Sequence, residues 1–255
     1  MMTTIHRLTL LLLSFSSIAL AENCLHGCPT GKNGQIVTRQ IYTLQNNALT
    51  KFADWTAYQV TPNTIDGPSR SRTWKSDPAI NAAHTLEPAD YTNANAVLGT
   101  DRGHQVPLAS FSNTAYWADT NYLSNITPQK ADLNQGPWAR LEEAERALAR
   151  SGKNVFIVTG PLYEWYVGEL PGANESHVIP SGYFKVLITN SNGWIDASAF
   201  IMEQNLGKNA NFCGREVTID QVEQRAGINI MPMLPAYKES AVEGRTGGLR
   251  AALGC

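Results

Sequence analysis

Asp101-Arg102-Gly103-His104-Gln105, together with the segment from Asn121 to Arg150, is the stretch around which this chain is organised. It sets an imidazole beside a glycine, then runs through Asn134-Gln135-Gly136-Pro137 into a segment carrying Glu142 and Arg146. Pro137 suits the first turn of a helix, where a missing N–H is tolerated, and Gly152 suits its C-terminal cap. Leu141, Ala144 and Leu148 share one side of that helix at the expected spacing. Asn134, Trp138, Glu142 and Arg146 recur every four residues and, if the helix starts early enough, form a row beside the apolar side. The same spacing also describes an ordinary amphipathic helix in which Glu142 and Arg146 form an i,i+4 ion pair.

Outward from this stretch, short strands dominate. Ile36 to Leu44 and Trp55 to Thr61 have the β-branched and aromatic content of strands and are expected to pair antiparallel. Thr64 to Thr73 is a polar loop bearing Arg70 and Arg72. Ala94 to Leu98 suits a helical turn, Thr100 to Leu108 an extended segment, and Leu123 to Pro128 a strand that the proline ends. Asn154 to Thr159, Tyr183 to Thr189 and Trp194 to Met202 read as central strands, with turns at Gly160-Pro161, Pro180-Ser181-Gly182 and Asn190 to Gly193. Thr218 and Gln221 are spaced as a capping box for a helix that Gly227 closes. Strands outnumber helices and their connections are short, so the expected fold is α+β with a mainly antiparallel sheet.

The chain has 255 residues and a formal net charge of −2. Residues 1–21 read as an export signal: His6 and Arg7, the apolar run Leu8 to Leu20, then Ala19-Leu20-Ala21 as the cleavage region. That run is too short to span a membrane, and no later stretch approaches the roughly 20 apolar residues a span needs. Residues 22–255 carry no linker, repeat or low-complexity tract and are expected to form a single secreted domain with no membrane association. Four cysteines in an exported chain allow three disulfide pairings. The simplest closes Cys24 to Cys28 and leaves Cys213 for Cys255; zinc held by Cys24, His26 and Cys28 is the rival reading, with an unfavourable spacing. The acidic balance argues against broad electrostatic gripping of nucleic acid. Any such substrate must be met by a local basic patch, a metal ion, or both.

Hydrolysis of a phosphodiester requires an activated water, stabilised charge on phosphorus and a neutralised leaving oxygen. Histidine is the natural base, since its ordinary pKa lies near working pH. His84 and His177 sit in turn-rich loops and read as solvated surface residues, and His26 lies in the small cysteine ring. His104 differs because Asp101, Arg102 and Gly103 precede it, although a polar turn with a surface ion pair competes for the same residues. Asn134 offers an amide oxygen to a hard cation such as Mg²⁺, which keeps most of its waters. Glu142 could orient those waters, and an arginine could stabilise developing negative charge.

Asp101 to Gln105 with Ala109 four residues further on, Asn121 to Lys130, Asp132-Leu133-Asn134-Gln135-Gly136 and Trp138-Ala139-Arg140-Leu141-Glu142 together resemble the DNA/RNA non-specific endonucleases, a branch of the ββα-metal (His-metal finger) nucleases. The likeness extends from about Cys24 to Cys255 and is densest from Tyr91 to Gly172. It implies a central antiparallel sheet flanked by helices, a strand-to-helix finger at the site, and the cysteine pairing given above. By the same resemblance His104 is the general base, Asn134 the single side chain that binds hydrated Mg²⁺ (Mn²⁺ being a possible substitute), and Glu142 the carboxylate that holds its waters. Arg72 is the arginine that stabilises the transition state, and Asn125 a polar residue of the same site. Arg102 and Arg146 match basic residues near the substrate or supporting the cleft, and Asp101 is expected to shape the turn or support the base. The implied activity is cleavage of DNA and RNA, single- or double-stranded, to 5′-phosphorylated oligonucleotides, and a homodimer is a possible assembly. Two other readings fit the motifs: a secreted nucleic-acid-binding module without catalysis, and a nuclease restricted to one sugar or strand type.

Overall fold

The computed structural model describes residues 23–255, so the export signal expected over residues 1–21 lies outside the described part of the chain. Side-chain alternation along strand β7 (Gly182–Ser191) explains the layering. Successive strand residues point to opposite faces. Tyr183 and Leu187 therefore join one apolar cluster, while Phe184, Val186 and Ile188 join another on the far side. The sheet is buried on both faces, which is why its strands read as nearly continuous apolar runs.

The elements before β7 are β1 (Gln35–Thr38), β2 (Thr43–Asn46), β3 (Ala53–Val60), α1 (Ala94–Leu98), β4 (Thr100–His104), β5 (Ile126–Lys130), α2 (Ala131–Leu133), α3 (Ala139–Arg150) and β6 (Val155–Leu162). After it come β8 (Trp194–Glu203), β9 (Glu216–Val217), α4 (Ile219–Ala226) and α5 (Ala236–Val242). Seven strands form one sheet in the order β1-β2-β3-β6-β7-β8-β9, every pair antiparallel. Leu141, Leu148 and Ala149 of α3 pack on one face, and Ile219 and Val222 of α4 on the other. The two strands β4 and β5 form a separate hairpin over a third cluster that includes Phe52, Tyr91, Leu123 and Ile126. The α+β class and the antiparallel sheet flanked by helices are as expected. The capping box of Thr218 and Gln221 forms at the start of α4, and Gly227 closes it with φ +67°.

Three details differ. The strand expected from Ile36 to Leu44 is two strands, β1 and β2, joined where the Arg39 N–H donates to the Tyr42 carbonyl (2.8 Å). Arg39 leaves the sheet to pair with buried Asp77 and to lie 4.4 Å from the Tyr122 ring centre, partners that local propensity does not announce. Pro128 lies inside β5 instead of ending it, opposite Arg102. Its missing N–H is harmless on a strand with one neighbour, and its carbonyl accepts from Tyr183 Oη (2.9 Å) and Gln204 Nε2 (2.8 Å). Gly160 and Pro161, expected as a turn, continue β6 against Phe184 and Tyr183, since β3 pairs with β6 only as far as Thr159.

Disulfides join Cys24 to Cys28 and Cys213 to Cys255, as the simplest pairing required. The second closes a loop with a sequence separation of 42 and fastens the C-terminus beside the cluster that α3 covers. Replacing Cys213 and Cys255 by alanine is expected to lower the unfolding free energy by about 4 kcal/mol in the chain-entropy picture. Urea unfolding of the oxidised protein and the double variant measures this.

Candidate active site

The hairpin places the first half of the site. The register sets Asp101 opposite Gln129, Gly103 opposite Thr127 and His104 opposite Ile126. A Cβ at Gly103 would stand 2.4 Å from Gln129 Oε1, so the glycine allows a close cross-strand approach. The second half follows directly. Helix α2 leads into a wide turn over Asn134–Trp138, where Gly136 (φ −111°, ψ −114°) leaves the helical region. A Cβ on Gly136 would stand 2.4 Å from the Lys208 carbonyl oxygen, which fixes the kink against that loop.

The row of four divides. Trp138 turns into the core, 5.7 Å from the Tyr183 ring, while Asn134, Glu142 and Arg146 reach a cavity of about 730 Å³. That cavity also collects Arg72, Asp101, Arg102 and His104. Arg72 arrives from the polar loop before β4, as its position in sequence suggested. The expected Glu142–Arg146 pair does not form. Arg146 binds Glu143 instead (2.8 Å), and Glu142 faces Lys185 of β7 (3.8 Å).

Asn125 does not line the cavity. It is fully buried behind the hairpin, where Oδ1 accepts from the Val106 N–H (2.9 Å) and Nδ2 donates to the Val106 and Thr120 carbonyls (3.1 and 2.9 Å). It braces the backbone that follows His104. His177 is no solvated surface residue either: its Nε2 accepts from the Leu170 N–H (2.9 Å) and its ring is buried. His84 is exposed, as expected.

Hydrogen bonds orient the two principal groups. Asn121 Nδ2 donates to the Ser71 carbonyl (3.1 Å), which turns Oδ1 toward His104 Nε2 (3.2 Å). An amide oxygen only accepts, so the network assigns the proton to Nε2 and leaves Nδ1 with the free lone pair. Burial and the Arg72 guanidinium hold the His104 pKa down to about 4, against a smaller upward pull from Asn121. The imidazole is therefore neutral at neutral pH and able to take a proton. Asn134 is set in the same way: its Nδ2 donates to Asp101 Oδ2 (2.9 Å), so Oδ1 is the atom left for a ligand. Gln135 and Asn95 donate to the same carboxylate (2.8 and 3.2 Å), which occupies Asp101 as an acceptor rather than as a metal ligand. One amide oxygen and the Glu142 carboxylate make a small, hard, oxygen-only set suited to a largely hydrated divalent cation.

Beneath Glu142 lies a buried group that sequence reading missed. Lys185 Nζ contacts Glu145 Oε2 and Tyr58 Oη, both at 3.2 Å, and lies 4.9 Å from the Trp138 ring centre. Ser110 donates to the other Glu145 oxygen (3.1 Å). Burial raises the Glu142 pKa and Lys185 opposes that rise. The signal was a lone lysine within an apolar strand, invisible as a site residue until β7 meets α3. Asn121 was likewise within the motif but had no assigned role.

A nuclease finger on an antiparallel sheet is the class these features define, and comparison with known proteins agrees. Residues 20–236 match the DNA/RNA non-specific endonuclease family. The chain is 47% identical over 246 residues to a nuclease of Serratia marcescens, covering 95% of this chain and 92% of that one. It is 32% identical to the mitochondrial endonuclease G of Homo sapiens, over 85% of this chain and 73% of the relative. The fold also matches endonuclease G in the crystal structure of the EndoG/EndoGI complex, at a TM-score of 0.75, 19% identity, and coverage of 91% of this chain and 99% of that one. The chain belongs to the DNA/RNA non-specific endonuclease family and is a nucleic acid hydrolase.

Two outcomes are expected of the metal-free protein. NMR titration should show His104 deprotonating well below an ordinary histidine, near pH 4. Arg72→Ala should raise that midpoint and Asn121→Ala should lower it, because the first removes a repelling charge and the second a bond that favours the cation. Asn125→Ala should lower the unfolding free energy by about 2 to 4 kcal/mol, since it strands a buried N–H and two carbonyls. Chemical denaturation measures the loss.

Proposed function

We propose that this protein is a secreted, Mg²⁺-dependent, sugar-non-specific endonuclease that cleaves DNA and RNA to oligonucleotides with 5′-phosphates. The observation that carries the reading is one cavity lined by an imidazole with Nδ1 free, an amide oxygen freed by Asp101, and Arg72. His104 Nδ1 takes a proton from water as the water oxygen bonds to phosphorus and the 3′-oxygen leaves. Arg72 stabilises charge gathering on the phosphoryl oxygens, and the Glu142 carboxylate orients water by hydrogen bonding. A hydrated Mg²⁺ at Asn134 Oδ1, or Mn²⁺ in its place, would neutralise a non-bridging oxygen and the leaving oxygen. Arg102 lies between the Tyr91 and Trp74 rings (5.1 and 5.7 Å to the centres), where it presents charge to a phosphate rather than reading a base. Phosphate contacts carry no sequence information, so weak base selectivity follows. Secretion is supported by the two disulfides, which persist in oxidising compartments.

Digestion of plasmid DNA and of RNA in parallel tests this reading. Both substrates should be cut, chelation by EDTA should abolish cutting, and products should be ligatable through their 5′-phosphates. Activity that survives EDTA would sink the metal role, and cutting of only one substrate would sink the lack of sugar preference. His104→Ala should lower kcat by at least about 100-fold, the usual worth of a positioned base.

A further inference from the structure

Lys185 is completely buried, and it is the cation that faces both carboxylates on the inner side of α3. Strand alternation puts it in the row of Tyr183 and Leu187, beneath the helix that carries Glu142. Three separate contacts fix its ammonium: Glu145 Oε2, Tyr58 Oη and the face of Trp138. Glu145 in turn is held by Tyr58 (3.2 Å) and Ser110 (3.1 Å), so that carboxylate is fully engaged. The side chain of Glu142 is 17% exposed, with Oε1 3.8 Å from Nζ, so it lies between the buried ammonium and the cavity. A carboxylate has two oxygens, so pairing of Oε1 with Lys185 leaves Oε2 available to the cavity that Glu142 lines.

We propose that Lys185 is a positioning residue for the proposed metal site. Its ammonium, pinned by Glu145 and Tyr58, fixes the direction in which Glu142 presents its free oxygen to the water shell of the cation. The inference rests on the reading of Asn134 and Glu142 as the metal-holding pair. Neutralisation is shared in a definite way: Glu145 balances Lys185 inside the protein, and the charge of Glu142 is left for a cation on the cavity side. A lysine acting only as packing would affect stability and leave metal affinity alone.

The test is direct binding of Mn²⁺ to the whole mature protein, followed by loss of the free-ion electron paramagnetic resonance signal, alongside thermal unfolding. Lys185→Met alone strands a buried Glu145 and is expected to lower Tm. The paired variant Lys185→Met/Glu145→Gln removes both charges together and is expected to fold. Its Mn²⁺ dissociation constant should rise about tenfold, as should the Mg²⁺ concentration for half-maximal cleavage, while KM for nucleic acid at saturating Mg²⁺ stays within about twofold. Glu145→Gln is the second variant. It preserves the lysine, keeps one acceptor oxygen for Tyr58 and lets the new amide N–H donate to the Ser110 hydroxyl, but draws the ammonium toward Glu142, so Mn²⁺ binding should weaken at least threefold, within the range for groups behind a metal shell. Mn²⁺ affinity equal to wild type in Glu145→Gln, or in the folded paired variant, overturns the proposal. Wild-type protein that binds no Mn²⁺, or binds it unchanged after Asn134→Ala, overturns the metal reading itself and this inference with it.

Discussion

The Asp101 carboxylate ties β4 to the turn that leads into α3, beyond the end of the β4–β5 ladder. It sits on β4, three residues before His104, and accepts from Asn134 and Gln135 on the turn that leads into α3. A charged acceptor makes these bonds stronger than neutral ones. The hairpin that carries the imidazole and the helix that carries Glu142 are thereby held at one separation and one angle. The same bonds choose which end of the Asn134 amide faces the cavity. A single side chain thus sets both the geometry of the site and the chemistry of its proposed metal ligand.

The helix is fixed from below as well as from the side. Leu141, Leu148 and Ala149 bury its apolar side against the sheet, while Glu145 meets Lys185 within the same interface. A buried ion pair adds little net stability and can be less favourable than a hydrophobic replacement. Stability alone does not account for placing one there. Removal of either partner would leave an uncompensated charge, so the pair tolerates only one helix position. Rigidity of this kind suits a site that must hold groups against a transition state rather than grip a substrate.

Much of this was legible beforehand, and the exceptions have a common cause. Gly152 is expected as the cap of α3, and it follows that helix with φ +91°. Short strands with alternating or continuous apolar character gave the antiparallel sheet. The errors came where a partner distant in sequence decided a local outcome. Arg39 broke a strand because Asp77 and Tyr122 were waiting for it. Pro128 and Pro161 stayed in strands because each needed only one neighbour. Trp138 faces the core, where its ring meets Tyr183 and Lys185 of β7. Asn125 was assigned to the site from its motif, yet its amide is consumed by Val106 and Thr120.

The sequence by itself determined the family and the residues that would meet: an imidazole after a glycine, an amide before a helix, and a carboxylate in its first turn. Those features are carried by motifs that resemble the family, and a motif survives without coordinates. Only the tertiary structure decided which atoms of those residues are free. The Nδ1 lone pair of His104 is available because Asn121 occupies Nε2, and Asn134 Oδ1 is available because Asp101 occupies Nδ2. It also decided that Lys185, one basic residue in an apolar strand, would lie under Glu142. Each outcome depends on contacts between residues 17 to 43 positions apart, which no local pattern records.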